Sequence, residues 1–212
     1  YNIHKGFNST NRQFILHDIK ESIRQVNADL VLLQEIHGEK NISKNRFDDW
    51  PSNNQFEFLA DEVWHHHAYA KNAIYKSGHH GNAILSKYPI IEWENIDVSL
   101  MQSASRSLLH GTIQLTESRQ HVHVICVHLG LFGMERQQQL ARLASRIDSH
   151  VPHDAPLVIA GDFNDWLGRA ERHFTHDLDV REVFKTTAGN YARTFPAWLP
   201  MLSMDRIYTR GL

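Results

Sequence analysis

A carboxylate and a carboxamide lie two residues apart at Asp162 and Asn164, directly after the apolar run Leu157–Gly161. In an extended chain, residues two apart point to the same side, so both side chains would face one surface. Such a pair at the end of a strand can bind a hard cation, orient a water molecule or hold a phosphate oxygen. Asp and Asn are also favoured in turns, so a turn that closes the strand is an equal alternative.

Glu35 is the second candidate, because it follows the apolar run Leu30–Leu33. A short continuous apolar run is typical of a strand buried on both faces, and we expect Glu35 to emerge at its end. A buried carboxylate is costly unless a partner such as a metal ion compensates it. The alternative is a glutamate at the rim of the sheet in solvent, which is the commoner situation for this residue type.

His128 and Asp205 complete this group of candidates. His128 closes the strand-like segment 121–127 and opens a glycine-containing loop, where an imidazole could donate to a phosphoryl oxygen or act as a general acid. The chain has 16 histidines, so most of them have ordinary roles. Asp205 lies in the strand-like segment 204–208, where it could pair with Arg206 or orient an imidazole.

Three helices and eight strands must position these residues, as hydrophobic periodicity and turn signals indicate. The predicted helices span residues 11–27, 134–150 and about 167–174, and Asn8, Ser9 or Thr10 could cap the first. The predicted strands span residues 30–36, 67–74, 82–86, 90–98, 107–115, 121–127, 156–160 and 204–208. Residues 38–54 are polar and indicate a surface loop. This order predicts an α/β sandwich of two apolar sheets with helices outside.

Composition narrows the function classes. The 212 residues, 42% of them apolar, predict one domain with a sizeable core. A formal charge of −2 lacks the basic balance of many nucleic-acid binders, so a nucleic-acid substrate is permitted but not indicated. No apolar run approaches the roughly 20 residues of a membrane-spanning helix, and no amphipathic or aromatic membrane-inserting segment is evident. The single cysteine, Cys126, favours a buried thiol in a reducing compartment, and we expect a cytoplasmic protein.

Six segments, taken in order, resemble the endonuclease/exonuclease/phosphatase superfamily, which includes DNase I. They are Tyr1–His4, Leu32–Ile36, Gly81–Ser86, Val127–Gly130, Gly161–Asn164 and Met204–Ile207. The resemblance extends over nearly the whole chain. It implies a four-layer α/β sandwich, in which two packed mixed sheets are flanked by helices and the site lies at one edge of the paired sheets.

The resemblance also implies a cofactor and a substrate-binding region. Asn2 and Glu35 would hold Mg²⁺ or Mn²⁺, which would neutralise phosphate charge and stabilise the leaving oxygen. Asn82 and Arg106 are candidates for substrate binding, with a turn amide and an exposed cation as their alternatives.

The catalytic roles follow from the same resemblance. Asp162 would orient or deprotonate the attacking water, Asn164 would hold a phosphate oxygen, and His128 would donate to the phosphate or the leaving group. Asp205 would orient a catalytic histidine, which the family places in a Ser-Asp-His motif near its C-terminus. No Asp-His dipeptide occurs in this sequence. We therefore expect residues 1–212 to be a single domain of this type lacking its C-terminal Ser-Asp-His strand through truncation, with loss of catalysis as the alternative.

The sequence does not identify the substrate, because one fold can host many reactions. We expect a metal-dependent hydrolase that cleaves phosphodiester bonds by in-line attack of an activated water, with a nuclease-type activity and nucleic acid among its candidate substrates. A phospholipid or inositol-phosphate phosphoesterase, and an inactive scaffold or binding protein of the same fold, are the alternatives. A monomer is expected.

Overall fold

A computed structural model describes residues 1–8, 10, 12–40, 50–75, 78–100, 105–170, 174 and 178–212, the side chains of residues 39 and 40 excepted. Within these residues the α-helices are α1 (Leu16–Val26), α2 (Gln55–Ala60), α3 (Gly133–His150) and α4 (Val183–Ala188). The strands are β1 (Leu30–Lys40), β2 (His66–Tyr75), β3 (Gly78–Ser86), β4 (Ile90–Asp97), β5 (Ser107–Gln114), β6 (His121–His128), β7 (Leu157–Asp162), β8 (Arg181–Glu182) and β9 (Asp205–Arg210).

The strands form two sheets. The first sheet has the order β1-β3-β2 and the second has the order β4-β5-β6-β7-β9-β8. The named pairs of the first sheet are antiparallel, whereas β6 and β7 are parallel neighbours in the second. One buried cluster lies between the two sheets, a second joins the first sheet to α1 and α2, and a third joins the second sheet to α3. The predicted four-layer α/β sandwich is confirmed.

Strand β6 illustrates why the central strands of this fold have largely apolar sequences. Ile125 and Val127 pack in the cluster that contains α3, whereas Val124 and Cys126 pack between the sheets. Successive side chains of a strand point to opposite faces, so a strand covered on both sides must be apolar at every position. The pattern that predicted a buried strand here therefore has a direct cause in the layered packing.

Helix α1 begins later than predicted, at Leu16 instead of residue 11. The side chain of Asn8 accepts the amides of Arg12 and Gln13, which holds a loop in place of a first helical turn. The capping position is Ile15, which has no capping side chain, and the predicted cap Ser9 lies outside the described residues. An Asx side chain can stabilise a loop as readily as a helix start, and here the loop is the result.

Several other boundaries differ from the prediction. Strand β1 continues to Lys40, into the predicted loop 38–54. Of the predicted helix 167–174, residues 167–170 are not helical, Phe174 is helical, and residues 171–173 lie outside the described part of the chain. The short elements α4 and β8 were not predicted. None of the helices that the structure describes is both long and apolar enough to cross a membrane.

Candidate active site

Glu35 lies in a bulge of β1 and not at the end of the strand, as the sequence had indicated. Two residues of β1, Gln34 and Glu35, separate the pairs Leu33↔Ala83 and Ile36↔Gly81, which are separated by one residue on β3. Glu35 has a φ angle of 55°, a conformation that side chains other than glycine adopt at a cost. A bulge re-aims side chains and is common beside active sites. The prediction that Glu35 ends its strand was therefore wrong.

Asn2 joins the two sheets at this point. It forms a parallel bridge with Gln34, and its Nδ2 lies 3.3 Å from Glu35 Oε1 and 3.3 Å from Asp162 Oδ2. Asn2 Oδ1 accepts the backbone amide of His4 at 3.0 Å, which fixes the orientation of the carboxamide. One amide thus bridges a carboxylate of the first sheet and a carboxylate of the second.

Two basic side chains, those of His4 and Lys5, lie beside the Glu35 carboxylate, whose side chain is 19% exposed. His4 Nδ1 lies 3.6 Å and Lys5 Nζ 3.8 Å from Glu35 Oε2. Burial alone would raise the pKa of Glu35, but neighbouring groups, among them the Lys5 ammonium and the Asn2 amide, hold it below its usual value. Glu35 is therefore ionised at neutral pH, as a metal ligand must be.

His128 and Asp162 are register partners at the ends of the parallel strands β6 and β7. Burial, with the Arg106 cation nearby, lowers the pKa of His128 to about 3, so its imidazole is neutral near pH 7. The distance of 3.8 Å between His128 Nε2 and Asp162 Oδ2 is then not an ion pair at that pH. A neutral imidazole carries no charge, so Lys5 and Asn2 are left to stabilise ionised Glu35.

The second feature of this pair is the basicity of Asp162. Burial, with the Asp205 carboxylate beside it, raises the pKa of Asp162 to about 6. Asp205 is its register partner on β9, so two carboxylates meet at the end of β7. A carboxylate with a raised pKa accepts a proton from water more readily than an ordinary aspartate.

Asn164 does not point to the same side as Asp162 by simple strand alternation. Strand β7 ends at Asp162, and Asn164 adopts a φ angle of 50°. The Asn164 backbone amide donates to Asp162 Oδ1 at 3.0 Å, and its side-chain Nδ2 donates to the Leu129 carbonyl at 2.8 Å. The turn considered from the sequence therefore exists, and it also places the amide beside the site. The second N–H of Nδ2 has no acceptor among the described residues.

Asp205 is half-buried, and its Oδ1 is a buried oxygen without a hydrogen-bond partner. The Arg206 guanidinium donates to the backbone carbonyls of Ser203 and Asp165 instead of pairing with Asp205. The pairing considered from the sequence is not made. A carboxylate left with an open oxygen next to Asp162 suits a cation or an imidazole donor.

Asn82 and Arg106 lie beside one another at the same edge. Asn82 occupies the β3 position opposite the bulge, is fully buried, and donates to the Ser107 carbonyl at 3.0 Å. A fully buried side chain cannot touch a substrate, so the structure favours a positioning role for Asn82. Arg106 Nη1 donates to the Ser105 carbonyl at 3.2 Å, and its Nε has no partner. Arg106 remains the better candidate for contact with a phosphate.

Sequence reasoning did not assign roles to Lys5, His4 and His80. Lys5 and His4 have φ angles of 61° and 48° in the short 3-10 turn His4–Gly6, which aims both at Glu35. His80 is half-buried and its ring lies 5.4 Å from that of Tyr75, while burial and the nearby Lys5 lower its pKa to about 4. The only sequence signal was the position of these residues next to recognised motifs.

The residues present fit a divalent metal. Glu35 and Asp162 each bring a carboxylate to 3.3 Å from Asn2 Nδ2, and Mg²⁺ is bound in proteins through one or two carboxylates with water completing its shell. The Asn2 carboxamide oxygen accepts the His4 amide, so the hard oxygen atoms that face this point are those of the two carboxylates. The described residues contain no group of three His, Cys, Asp or Glu side chains arranged as a preformed metal cage.

Comparisons with known proteins identify the family of this chain. A model of the Endonuclease/Exonuclease/phosphatase family matches residues 1–212. Uncharacterized protein YbhP of Escherichia coli strain K12 is 44% identical over 210 residues, which are 99% of this chain and 83% of that protein.

Solved structures share the fold. An endonuclease/exonuclease/phosphatase from Beutenbergia cavernae superposes with a TM-score of 0.73 at 18% identity, covering 98% of this chain and 62% of that one. D. rerio TDP2 in complex with single strand DNA product gives a TM-score of 0.64 at 22% identity, covering 92% of this chain and 76% of that one. The predicted DNase I-like fold is confirmed, and the chain belongs to the Endonuclease/Exonuclease/phosphatase family.

Proposed function

We propose that this protein is a divalent-metal-dependent phosphoesterase that hydrolyses phosphodiester bonds with an activated water. The observation that carries the proposal is the bridge from Asn2 Nδ2 to both Glu35 and Asp162, each at 3.3 Å. It brings together an ionised carboxylate from one sheet and a more basic carboxylate from the other. Membership of a family of phosphoester hydrolases supports the same reaction class.

Each side chain has a chemical task in this proposal. Asp162, with its pKa raised to about 6, orients the water and accepts its proton as the oxygen attacks phosphorus in line with the leaving group. His128, neutral at pH 7, donates a hydrogen bond from Nε2 to a phosphoryl oxygen. Asn164 donates its second N–H to the same group. Because neutral imidazole is a poor acid, hydrogen bonding replaces the general-acid role considered from the sequence.

The charge of the phosphate needs separate compensation. A metal ion bound by Asn2 and Glu35 would supply Lewis-acid stabilisation of the phosphoryl and leaving oxygens. Lys5 and Arg106 add fixed cations at the two sides of the site. Asp205 supplies an acceptor beside Asp162 that could hold a histidine donor in place.

The substrate class remains a proposal with two candidates. A nuclease-type activity is supported by resemblance, and the related D. rerio TDP2 structure contains single strand DNA product. A lipid phosphodiester is favoured by apolar loops that border the site, with exposed side chains such as Phe132 and Trp198. The inactive scaffold considered from the sequence is the outcome if no phosphodiester is hydrolysed.

The test is hydrolysis of bis(p-nitrophenyl) phosphate by the full-length protein in Mg²⁺, Mn²⁺ or EDTA. We expect EDTA to abolish turnover. Glu35→Gln and Asp162→Asn should each lower kcat/KM by about 10²-fold or more while leaving the unfolding transition in place. Glu117→Gln is the matched control, because Glu117 is exposed in the turn before β6, at the end of the strand opposite His128.

Activity that survives EDTA would contradict the metal requirement. Near-normal kcat/KM in either site variant would remove Glu35 or Asp162 from the mechanism. A protein that binds Mg²⁺, detected by calorimetry, yet turns over none of the tested phosphodiesters would support the scaffold instead.

A further inference from the structure

Three segments of the chain leave the site edge of the second sheet, and each exposes large apolar side chains. The first segment, residues 129–136, follows His128; the second, residues 165–170, follows Asn164; the third, residues 191–204, precedes Asp205. We name their exposed side chains the apolar rim. Its most exposed members include Leu131, Phe132, Met134, Trp166, Trp198 and Met201.

Hydrogen bonds and cation–π contacts join the three segments to each other and to the site. Asn164 Nδ2 donates to the Leu129 carbonyl at 2.8 Å, and the Arg136 guanidinium lies 5.6 Å from the centre of the Trp166 ring. Arg206 Nη2 donates to the Asp165 carbonyl at 2.9 Å while its guanidinium lies 3.9 Å from the Tyr191 ring. The rim therefore lies around the active-site edge and not at scattered places on the surface.

The third segment contains the strongest apolar feature. Residues 195–202, Phe-Pro-Ala-Trp-Leu-Pro-Met-Leu, carry no charged side chain and no side-chain hydrogen-bond donor except the Trp198 indole. Trp198 is 77% exposed, and Met201 is 57% exposed. The two arms of the hairpin are paired, with the Phe195 amide donating to the Leu202 carbonyl at 3.0 Å and the Leu202 amide donating to the Phe195 carbonyl at 2.8 Å. The Leu199 and Met201 amides also donate to the Pro196 and Phe195 carbonyls, and backbone groups paired in this way can leave water at lower cost.

The charges of the rim are complementary to an anionic surface. Arg169 and Arg193 are exposed, whereas the acidic residues of the same segments, Glu135 and Asp165, are buried. A groove of about 480 Å³ lies beside the rim between the first turn of α3 and residues 167–169, and Arg136 and Arg169 line it. Exposed aromatic and aliphatic tips flanked by arginines match the interface of a bilayer, where apolar groups meet acyl chains and cations meet phosphate.

We propose that the apolar rim docks this protein on the surface of an anionic phospholipid bilayer and presents the active site to lipid phosphodiesters. The docking step follows from the rim alone, whereas the lipid substrate also rests on the proposed phosphoesterase function. Large exposed apolar side chains on three segments at one edge of the fold mark an interaction surface, because soluble domains rarely expose many of them together without use.

A nucleic acid fits the rim less well. Single-stranded nucleic acids are held by a cationic track with aromatic platforms, and their affinity comes largely from phosphate contacts. Leu131, Met134 and Met201 cannot stack on bases, and the exposed cations of the three segments are only Arg169 and Arg193. The bilayer uses every exposed member of the rim, so it is the occupant that the surface favours.

The sequence did not indicate this surface. No aromatic membrane-inserting segment was evident there, because residues 195–202 resemble a stretch of core with two prolines. The structure exposes the aromatic residues Phe195 and Trp198 in this segment, and this exposure is what the sequence did not indicate.

The test is binding of the full-length protein to vesicles of phosphatidylcholine with and without equal phosphatidylglycerol, followed by co-sedimentation and tryptophan fluorescence. We expect binding that is stronger with phosphatidylglycerol, falls with salt and shifts the emission to the blue. Trp198→Ser combined with Met201→Ser should weaken binding at least about tenfold. Trp93→Ser is the matched control, because Trp93 is 49% exposed on β4, at the other side of the second sheet.

A further variant separates membrane docking from catalysis. Glu35→Gln should bind vesicles as the unmodified protein does and yet hydrolyse nothing, so a failure of the proposed chemistry leaves docking measurable. Equal vesicle binding by the Trp198/Met201 variant and the unmodified protein would overturn the proposal. Two other results would also overturn it, both with vesicle binding too weak to detect. The first is binding of single-stranded DNA that depends on Trp198, and the second is dimerisation that depends on Trp198.

Discussion

Replacement of Gly161 by alanine tests the close approach of β6 and β7 that builds the site. Gly161 has a φ angle of 143°, and a Cβ atom there would lie 2.1 Å from the Val127 carbonyl oxygen. The same atom would lie 2.9 Å from Gln34 Nε2, a buried side chain between the sheets. The carbonyl belongs to the backbone of β6, so the contact can be relieved only by moving one strand away from the other.

The magnitude follows from two contributions. An unfavourable backbone conformation costs about 1–3 kcal/mol, and overpacking that shifts backbone costs a further 1–3 kcal/mol or so. Gly161→Ala should therefore lower the free energy of unfolding by about 2–6 kcal/mol. The next register pair is His128 with Asp162, so a shift of about 1 Å there should also lower kcat by about 10²-fold.

Urea denaturation followed by circular dichroism measures the first effect, and two glycines provide controls. Gly189 has a φ angle of 76° with no atom within 4 Å of a new Cβ, so Gly189→Ala should cost only about 1–2 kcal/mol. Gly133 opens α3 and has neither constraint, so Gly133→Ala should be neutral or stabilise the fold by up to about 1 kcal/mol. A cost at Gly161 no larger than that at Gly189 would refute the close approach of the strands.

Two further predictions concern buried groups away from the site. Arg146 Nε donates to His110 Nδ1 at 3.2 Å, and burial with this cation lowers the pKa of His110 to about 3. The unfolded chain, with a histidine pKa of about 6.5, binds a proton that the folded protein does not, so stability is lost as pH falls below about 6.5, by about 2 kcal/mol at pH 5. His110→Gln should reduce this loss between pH 7.5 and pH 5 in urea titrations, and an unchanged pH dependence would contradict the reasoning. Burial raises the pKa of the Cys126 thiol to about 11, so it should react with Ellman's reagent at pH 8 only along the unfolding transition. Rapid labelling of the folded protein would show that the space between the sheets is open.

The layered fold could be predicted because both faces of its central strands are covered. Runs such as Leu30–Leu33 and Val124–Val127 are apolar at every position, so the pattern can be recognised without knowledge of the partner strands. The start of α1 could not be predicted, because Asn8 holds a loop through contacts with Arg12 and Gln13 that mimic a helix cap. Local sequence indicates which groups compete there but not which contact prevails.

The sequence predicted which residues make up the candidate site better than it predicted how they are arranged. The resemblance brought Asn2, Glu35, His128 and Asp162 to one sheet edge, where the structure also has them close together. The bulge at Glu35 was hidden, because it depends on how β1 aligns with β3, a strand more than 40 residues later. Long-range register leaves no local pattern, so neither the bulge nor the contact of Lys5 with Glu35 was evident.

Backbone strain is concentrated at the candidate active site. Of the eight non-glycine residues with positive φ in the described part of the chain, four are at the site: His4, Lys5, Glu35 and Asn164. Each such conformation costs about 1–2 kcal/mol, and each here is held by a contact that a relaxed backbone would lose. The cost is borne by the packing of the two sheets, whose inner cluster contains fully buried residues such as Ile84 and Cys126. Mutations that loosen this packing should therefore let the backbone relax at Glu35 and Asn164 before the protein unfolds. Relaxation there releases backbone strain, which offsets part of the cost of the lost contacts.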